Sequence, residues 1–231
     1  MTDAKDKLIV ALDLPAYDAA RDLVNRLGDT VTFYKIGLEL LFSDGLTLAR
    51  ELKQEGKRVF LDLKFLDIGN TVERAVASAA DLGVDFLTVH GHDTKTLKAA
   101  VRGRAGSNLK LLAVTVLTSL DQSDLDEQGL SLTPGELVLS RARLAKNAGI
   151  DGVIASGQEA AAVREKTGAD FLIITPGIRL PGGDAGDQTR ITTPEDALQA
   201  GADHLVVGRP INAAKDPKLA AEAFLERIAA A

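Results

Sequence analysis

No cysteine and no tryptophan occur among the 231 residues, and there are only three histidines and one methionine. Without cysteine there is no disulfide, no thiolate metal site and no thiol nucleophile, which suits a reducing cytosol. Aromatic residues make up 4% of the chain, so the core must be built from Leu, Val, Ile and Ala. Long apolar runs are missing too. The run over 8–12 is too short for a signal-peptide core or a bilayer span, and residues 1–7 before it carry charges of both signs. The expected location is cytoplasmic, with no membrane partner. Excess positive charge is also absent. A formal net charge of −6 argues against general nucleic-acid binding, which needs a basic face. One anionic metabolite held in a local positive pocket remains compatible.

Apolar content of 45% and charged content of 26% describe a chain able to bury a full core. Short β-rich apolar runs alternate with longer helical stretches. Strands are expected over 8–13, 33–37, 59–64, 86–90, 110–117, 152–156, 171–176 and 204–208. Most are nearly continuous in apolar character, as parallel strands covered on their outer face should be. Helix starts are marked at Pro15, at Asn70-Thr71-Val72-Glu73 as a capping box, and at Thr193-Pro194. Gly28, Gly56, Gly83, Gly149, Gly168 and Gly201 stand where helices should end before strands. Eight βα units in this length fit a single-domain (β/α)₈ barrel over 1–231, with a doubly wound sheet as the alternative. No linker or low-complexity tract divides the chain.

A barrel of this kind gathers its active site at the C-terminal ends of the strands. The polar residues at those ends are Asp13, Lys35, Asp62, Lys64 with Asp67 just beyond, His90 with His92, Thr118 and Ser119, Thr175 to Arg179, and Gly208-Arg209. Alternation along strands places Asp62 and Lys64 on one face, Asp13 with Ile9 and Ala11, and Lys35 with Phe33. Buried charges must be paired, so carboxylates and amines on adjacent strands point to use rather than solubility. After strands seven and eight, Gly177 and Gly208 would admit an anion to backbone N–H groups, and Arg179 and Arg209 would add forked donors, with Gln188 reaching in from a long loop. The Gly-rich stretch 181–187 reads equally as a lid or as a plain surface loop. His90 and His92 invite a metal reading. The third histidine, His204, lies at the opposite end of the barrel, and Lys64 between the acids would compete with a cation, so no metal is expected.

Seven motifs in order carry a resemblance to a known family. They are Val10-Ala11-Leu12-Asp13, Tyr34-Lys35-Ile36-Gly37, the stretch from Asp62-Leu63-Lys64-Phe65-Leu66-Asp67 through Ile68-Gly69-Asn70-Thr71, Val116-Leu117-Thr118-Ser119, Thr175-Pro176-Gly177-Ile178-Arg179, Gly186-Asp187-Gln188-Thr189-Arg190 and Val207-Gly208-Arg209-Pro210-Ile211. From end to end the chain resembles bacterial orotidine 5′-phosphate decarboxylases. It departs from them at Leu66, where the family often has His, at Gly69, where it often has Pro, and over 91–94. The resemblance implies decarboxylation of orotidine 5′-monophosphate to UMP with no cofactor. It assigns the ribose hydroxyls to Asp13 and Lys35, and the reacting carbon to Lys35, Asp62, Lys64 and Asp67, with Lys64 as proton donor. Thr118 would contact the pyrimidine, and Gln188, Gly208 and Arg209, with Arg179 nearby, the phosphate. Ile68 also belongs to the implied substrate-binding set. Asp67 and Thr71 would be shared across a homodimer. Sister sugar-phosphate enzymes use a similar Asp-x-Lys-x-x-Asp strand end with Mg²⁺. Thr118, Gln188 and the separate Lys35 favour the nucleotide enzyme over these, and the full charge array disfavours a non-catalytic nucleotide binder.

Overall fold

A computed structural model describes residues 3–182 and 190–231. Eight parallel strands close into a barrel in sequence order: β1 (Leu8–Ala11), β2 (Phe33–Gly37), β3 (Arg58–Phe65), β4 (Phe86–His90), β5 (Lys110–Val114), β6 (Gly152–Ile154), β7 (Leu172–Thr175) and β8 (His204–Val207). Closure rests on the pairing of β1 with β8, Leu8 opposite Leu205 and Val10 opposite Val207, which rules out the doubly wound alternative. Around the barrel run α1 (Ala4–Lys7), α2 (Tyr17–Leu27), α3 (Leu38–Leu40), α4 (Leu46–Gln54), α5 (Gly69–Asp81), α6 (Thr94–Gly103), α7 (Gln122–Glu127), α8 (Pro134–Ala148), α9 (Gly157–Thr167), α10 (Pro194–Gln199), α11 (Arg209–Asn212) and α12 (Pro217–Ala230).

Strand alternation divides the apolar residues into two cores. Residues pointing outward from the strands pack under the helices, among them Leu8, Val10, Tyr34, Leu61, Leu87 and Val207. Those pointing inward, Ile9, Ala11, Phe33, Phe60, Phe86, Leu112, Ile174 and Val206, fill the barrel. Phe33 and Phe86 meet edge to face with centroids 5.1 Å apart, and the Arg58 guanidinium lies 4.0 Å above the Phe33 ring. The N-terminal mouth of the barrel is therefore plugged, and its interior opens toward the C-terminal rim.

Several expected boundaries shift. The helix after Pro15 begins two residues later, at Tyr17, capped by Ala16. Residues 70–73 do not form a capping box, because α5 already starts at Gly69 with Ile68 as its N-cap, and Asn70 and Thr71 lie inside the first turn. Thr193 does cap α10, accepting from the Asp196 N–H, with Pro194 at the first position. Gly149 ends α8 in a left-handed conformation, φ 89°. β5 stops at Val114 rather than 117, β6 at Ile154 rather than Ser156, and β1 at Ala11 rather than Asp13. Past these ends single backbone bonds still reach the next strand, as from the Leu12 N–H to Lys35 O at 2.8 Å and from the Ala155 N–H to Ile174 O at 3.2 Å, before the chain turns away.

Candidate active site

Inward pleating delivers a chain of alternating charge to the rim. Asp13 follows β1, Lys35 sits in β2, and Asp62 and Lys64 sit in β3. The Lys35 ammonium donates to Asp13 Oδ1 at 2.8 Å and lies 3.6 Å from Asp62 Oδ2. The Lys64 ammonium lies 2.8 Å from Asp62 Oδ1. Lys35 is only 7% exposed, and burial alone would push it toward neutrality. The Asp62 and Asp13 carboxylates outweigh that, and its pKa lies above the ordinary lysine value. Burial likewise pushes Asp62 up, but Lys35 and Lys64, with hydrogen bonds from Lys64 and Thr88, hold it below the usual carboxylate range. The order of causes is the same for both: a desolvation penalty overcome by close opposite charge. Gly37 permits the approach, since a Cβ there would meet Asp13 Oδ1 at 2.9 Å and Lys35 Nζ at 3.1 Å.

Asp62 and Lys64 share a face as alternation requires, but not through a plain pleat. The β3–β4 register shifts between Leu61 and Phe65, and Lys64 takes φ 51°, a left-handed conformation uncommon outside glycine. Thr88 on β4 fastens the bulge. Its hydroxyl accepts from the Lys64 N–H at 3.0 Å and donates to Asp62 Oδ1 at 2.9 Å. Thr88 is not among the sequence-predicted site residues, although it shares the inward face with Phe86 and His90.

The array borders two adjoining cavities. One, about 450 Å³ and polar, is lined by Asp13, Lys35, Asp62, Thr118, Gly177, Arg179, Gly208 and Arg209, together with Glu39 and Asn212, which the sequence reading did not single out. The other, about 150 Å³, is mainly apolar, walled by Phe60, Val114, Val116, Leu117, Ile154, Pro176 and Val206, with Lys35, Asp62, Lys64 and Thr118 at its edge. Lys35, Asp62 and Thr118 belong to both. Gly208 caps the short helix α11 at the cleft wall. Gln188, and most of the candidate lid over 181–187, lie outside the described residues.

Three expected site residues stand apart. Asp67, Ile68 and Thr71 are exposed, and none lines either cavity. Asp67 accepts from the Ile68 N–H at 2.6 Å rather than pairing with Lys64. Within one chain the array is thus Asp13, Lys35, Asp62 and Lys64. His90 and His92 bring their rings to 4.6 Å, but no group of three His, Asp or Glu side chains suited to a metal occurs among the described residues. Burial, then His92, Lys64 and Arg141, depress His90 to about 4, so it is neutral at pH 7.

The sequence profile of the orotidine 5′-phosphate decarboxylase / HUMPS family matches residues 6–224. An orotidine 5′-phosphate decarboxylase of Rhodopseudomonas palustris (strain BisA53) is 55% identical over 229 residues, covering 99% of this chain and 97% of that protein. One from Methylobacterium radiotolerans is 54% identical, covering 99% of each. Among solved structures, the orotidine 5′-phosphate decarboxylase of Lactobacillus acidophilus superposes with a TM-score of 0.84 at 41% identity, over 96% of this chain and 98% of that one.

Proposed function

The chain belongs to the orotidine 5′-phosphate decarboxylase / HUMPS family and is an enzyme of the carboxy-lyase class, and from that premise we propose that it decarboxylates orotidine 5′-monophosphate to UMP without a cofactor, in pyrimidine biosynthesis. We further propose that residues 1–231 form one catalytic domain, that it works in the cytoplasm, and that its active unit is a homodimer. Among the described residues no helix is long and apolar enough to cross a membrane.

The observation that carries this reading is the Lys64 ammonium, paired with half-buried Asp62 at the edge of a small apolar cavity that adjoins a polar cleft. Breaking the bond from C6 to the carboxylate leaves an electron pair in the ring plane, where the π-system delocalises it poorly. A cofactor-free enzyme must meet that charge electrostatically, and a fixed cation in a water-poor site does so best. Lys64 opposes the developing carbanion, then transfers an Nζ proton to C6, giving UMP, and regains a proton from solvent. Lys35 and Asp13 suit the ribose hydroxyls. The backbone at Gly177 and Gly208, with Arg179, Arg209 and Gln188, suits the phosphate. Thr118, common to both cavities, suits the pyrimidine edge. The phosphate lies away from C6, so its contacts act by fixing the substrate rather than by touching the carbanion.

A homodimer with Asp67 and Thr71 completing the partner's site is supported by where they stand. They follow β3 together with exposed Leu66 and Ile68, and Leu38 and Phe42, which follow neighbouring β2, are exposed as well. Exposed apolar side chains gathered after two adjacent strands suit an association surface.

The test is turnover of orotidine 5′-monophosphate by the wild type and by Lys64→Ala, each with and without EDTA. The wild type should be active and indifferent to EDTA. The variant should lose roughly three orders of magnitude or more, as loss of a proton donor that also stabilises charge requires. Activity retained by the variant, or abolished by EDTA, overturns the mechanism.

A further inference from the structure

We propose that Arg190, with Glu159, is a positioning pair that sets Thr118 against the base of the bound nucleotide, an inference that rests on the nucleotide reading above. The Arg190 and Glu159 side chains are 11% and 12% exposed and form an ion pair through Nη1 and Oε1. From its other edge, Arg190 Nη2 donates to the carbonyl of Leu117 at 2.8 Å and approaches that of Val116 at 3.4 Å. These carbonyls immediately precede Thr118. They belong to residues beyond the end of β5, so no strand ladder fixes them, and the one backbone bond to them among the described residues is a local turn, from the Leu120 N–H to Leu117 O at 3.0 Å. The preceding carbonyl, Thr115 O, is also held by a side chain, Arg141 Nη1 from α8.

Arg190 is itself anchored to the opposite wall. Two residues on, Thr192 pairs with the segment after β7: its N–H donates to Gly177 O at 3.2 Å, and its carbonyl accepts from the Arg179 N–H at 3.0 Å. Thr192 also packs against Gly157 at the start of α9, the helix that carries Glu159; a Cβ at Gly157 would meet Thr192 Oγ1 at 2.6 Å. One guanidinium therefore ties the loop carrying Thr118 to the loop carrying Gly177 and Arg179, with Glu159 holding its orientation. Only a forked side chain serves carboxylate and carbonyls from opposite edges.

Arg190→Lys keeps the charge beside Glu159, whose Oε2 is buried with no partner among the described residues, but cannot span both sets of acceptors. Its affinities for UMP and for ribose 5-phosphate, read by titration calorimetry, separate the base from the rest of the nucleotide. UMP should bind roughly tenfold more weakly, the effect of losing the one hydrogen bond from Thr118 to the base, with ribose 5-phosphate unchanged. Adding Thr118→Ala to Arg190→Lys should cost far less than Thr118→Ala costs the wild type, the signature of two residues acting through one contact. Should Arg190→Lys fail to fold, Glu159→Gln carries the same comparison. Equal weakening of both ligands, no change in either, or full additivity with Thr118→Ala overturns the positioning role. Failure of the wild type to bind UMP defeats instead the nucleotide reading on which it rests.

Discussion

Thr88 does for the site what none of the charged residues can do for themselves. Lys64 occupies a left-handed conformation that costs a non-glycine residue about 1–2 kcal/mol, so something must hold it there. The Thr88 hydroxyl bonds the Lys64 backbone N–H and, through its own proton, Asp62 Oδ1, coupling the backbone that carries the amine to the carboxylate that pairs with it. Thr88→Val keeps the shape and removes both bonds. It should fold, lose about 1–2 kcal/mol of stability in urea unfolding, and lower kcat by roughly tenfold while moving KM little. That split follows from the proposed mechanism, in which Lys64 acts on the reacting carbon rather than on the phosphate or ribose. An unchanged kcat in a measurably destabilised variant would show that the amine needs no such tether.

At the level of strands and helices, what was legible in the sequence is what period-two alternation controls. Ile9 and Ala11 predicted the facing of Asp13, and Phe33 that of Lys35; both follow the inward core of β1 and β2. Alternation also put Asp62 and Lys64 together, yet the bulge that joins them was not readable, because nothing in Leu61 to Phe65 announces a left-handed residue. At the β5 exit Val116 and Leu117 continue the apolar character of the strand and so predict more strand. Its carbonyls go instead to Arg141 and Arg190, which come from distant parts of the chain. The barrel floor has a consequence for acid stability. His204 opens β8, is 8% exposed, and sets Nδ1 2.8 Å from Asp6 O in α1. Burial, then Arg58, depresses its pKa from 6.5 to about 4. From pH 6.5 down to 4 the unfolded chain therefore takes up a proton that the folded chain refuses, so stability falls across that window and does not change above it on this account. A shift of this size amounts to about 3 kcal/mol for one group. Urea unfolding at pH 7.5 and 4.5 should show a smaller pH-dependent loss for His204→Asn than for the wild type, with His90 accounting for part of what remains. Identical losses in both proteins would remove His204 from the account.

Across the barrel as a unit, the four-charge array is closed on itself. Asp13, Lys35, Asp62 and Lys64 form an unbroken line of pairs, whereas Asp67 faces outward on a rim of exposed apolar side chains, with Phe42 87% and Ile68 74% exposed. An acid there has no task inside its own cleft, and leaving such side chains in water forgoes burial worth about 25 cal/mol per Å² of apolar surface. Both facts are met if two barrels pack rim to rim and each lends Asp67 and Thr71 to the other's cleft. In the sequence only the family resemblance pointed to this, because the complementary surface would be a second copy. Complementation tests it. Lys64→Ala and Asp67→Ala homodimers should each be nearly inactive in decarboxylation. Once mixed and allowed to exchange, about half the dimers are mixed if pairing is random, a mass-action expectation. In each mixed dimer one cleft brings both substitutions together, and the other keeps Lys64 and receives an intact Asp67. Activity should therefore recover to about a quarter of the wild-type rate per cleft, this being half the dimers with one of two sites restored. If exchange is demonstrated by differential labelling and activity stays at the level of the separate variants, Asp67 acts within its own chain or not at all.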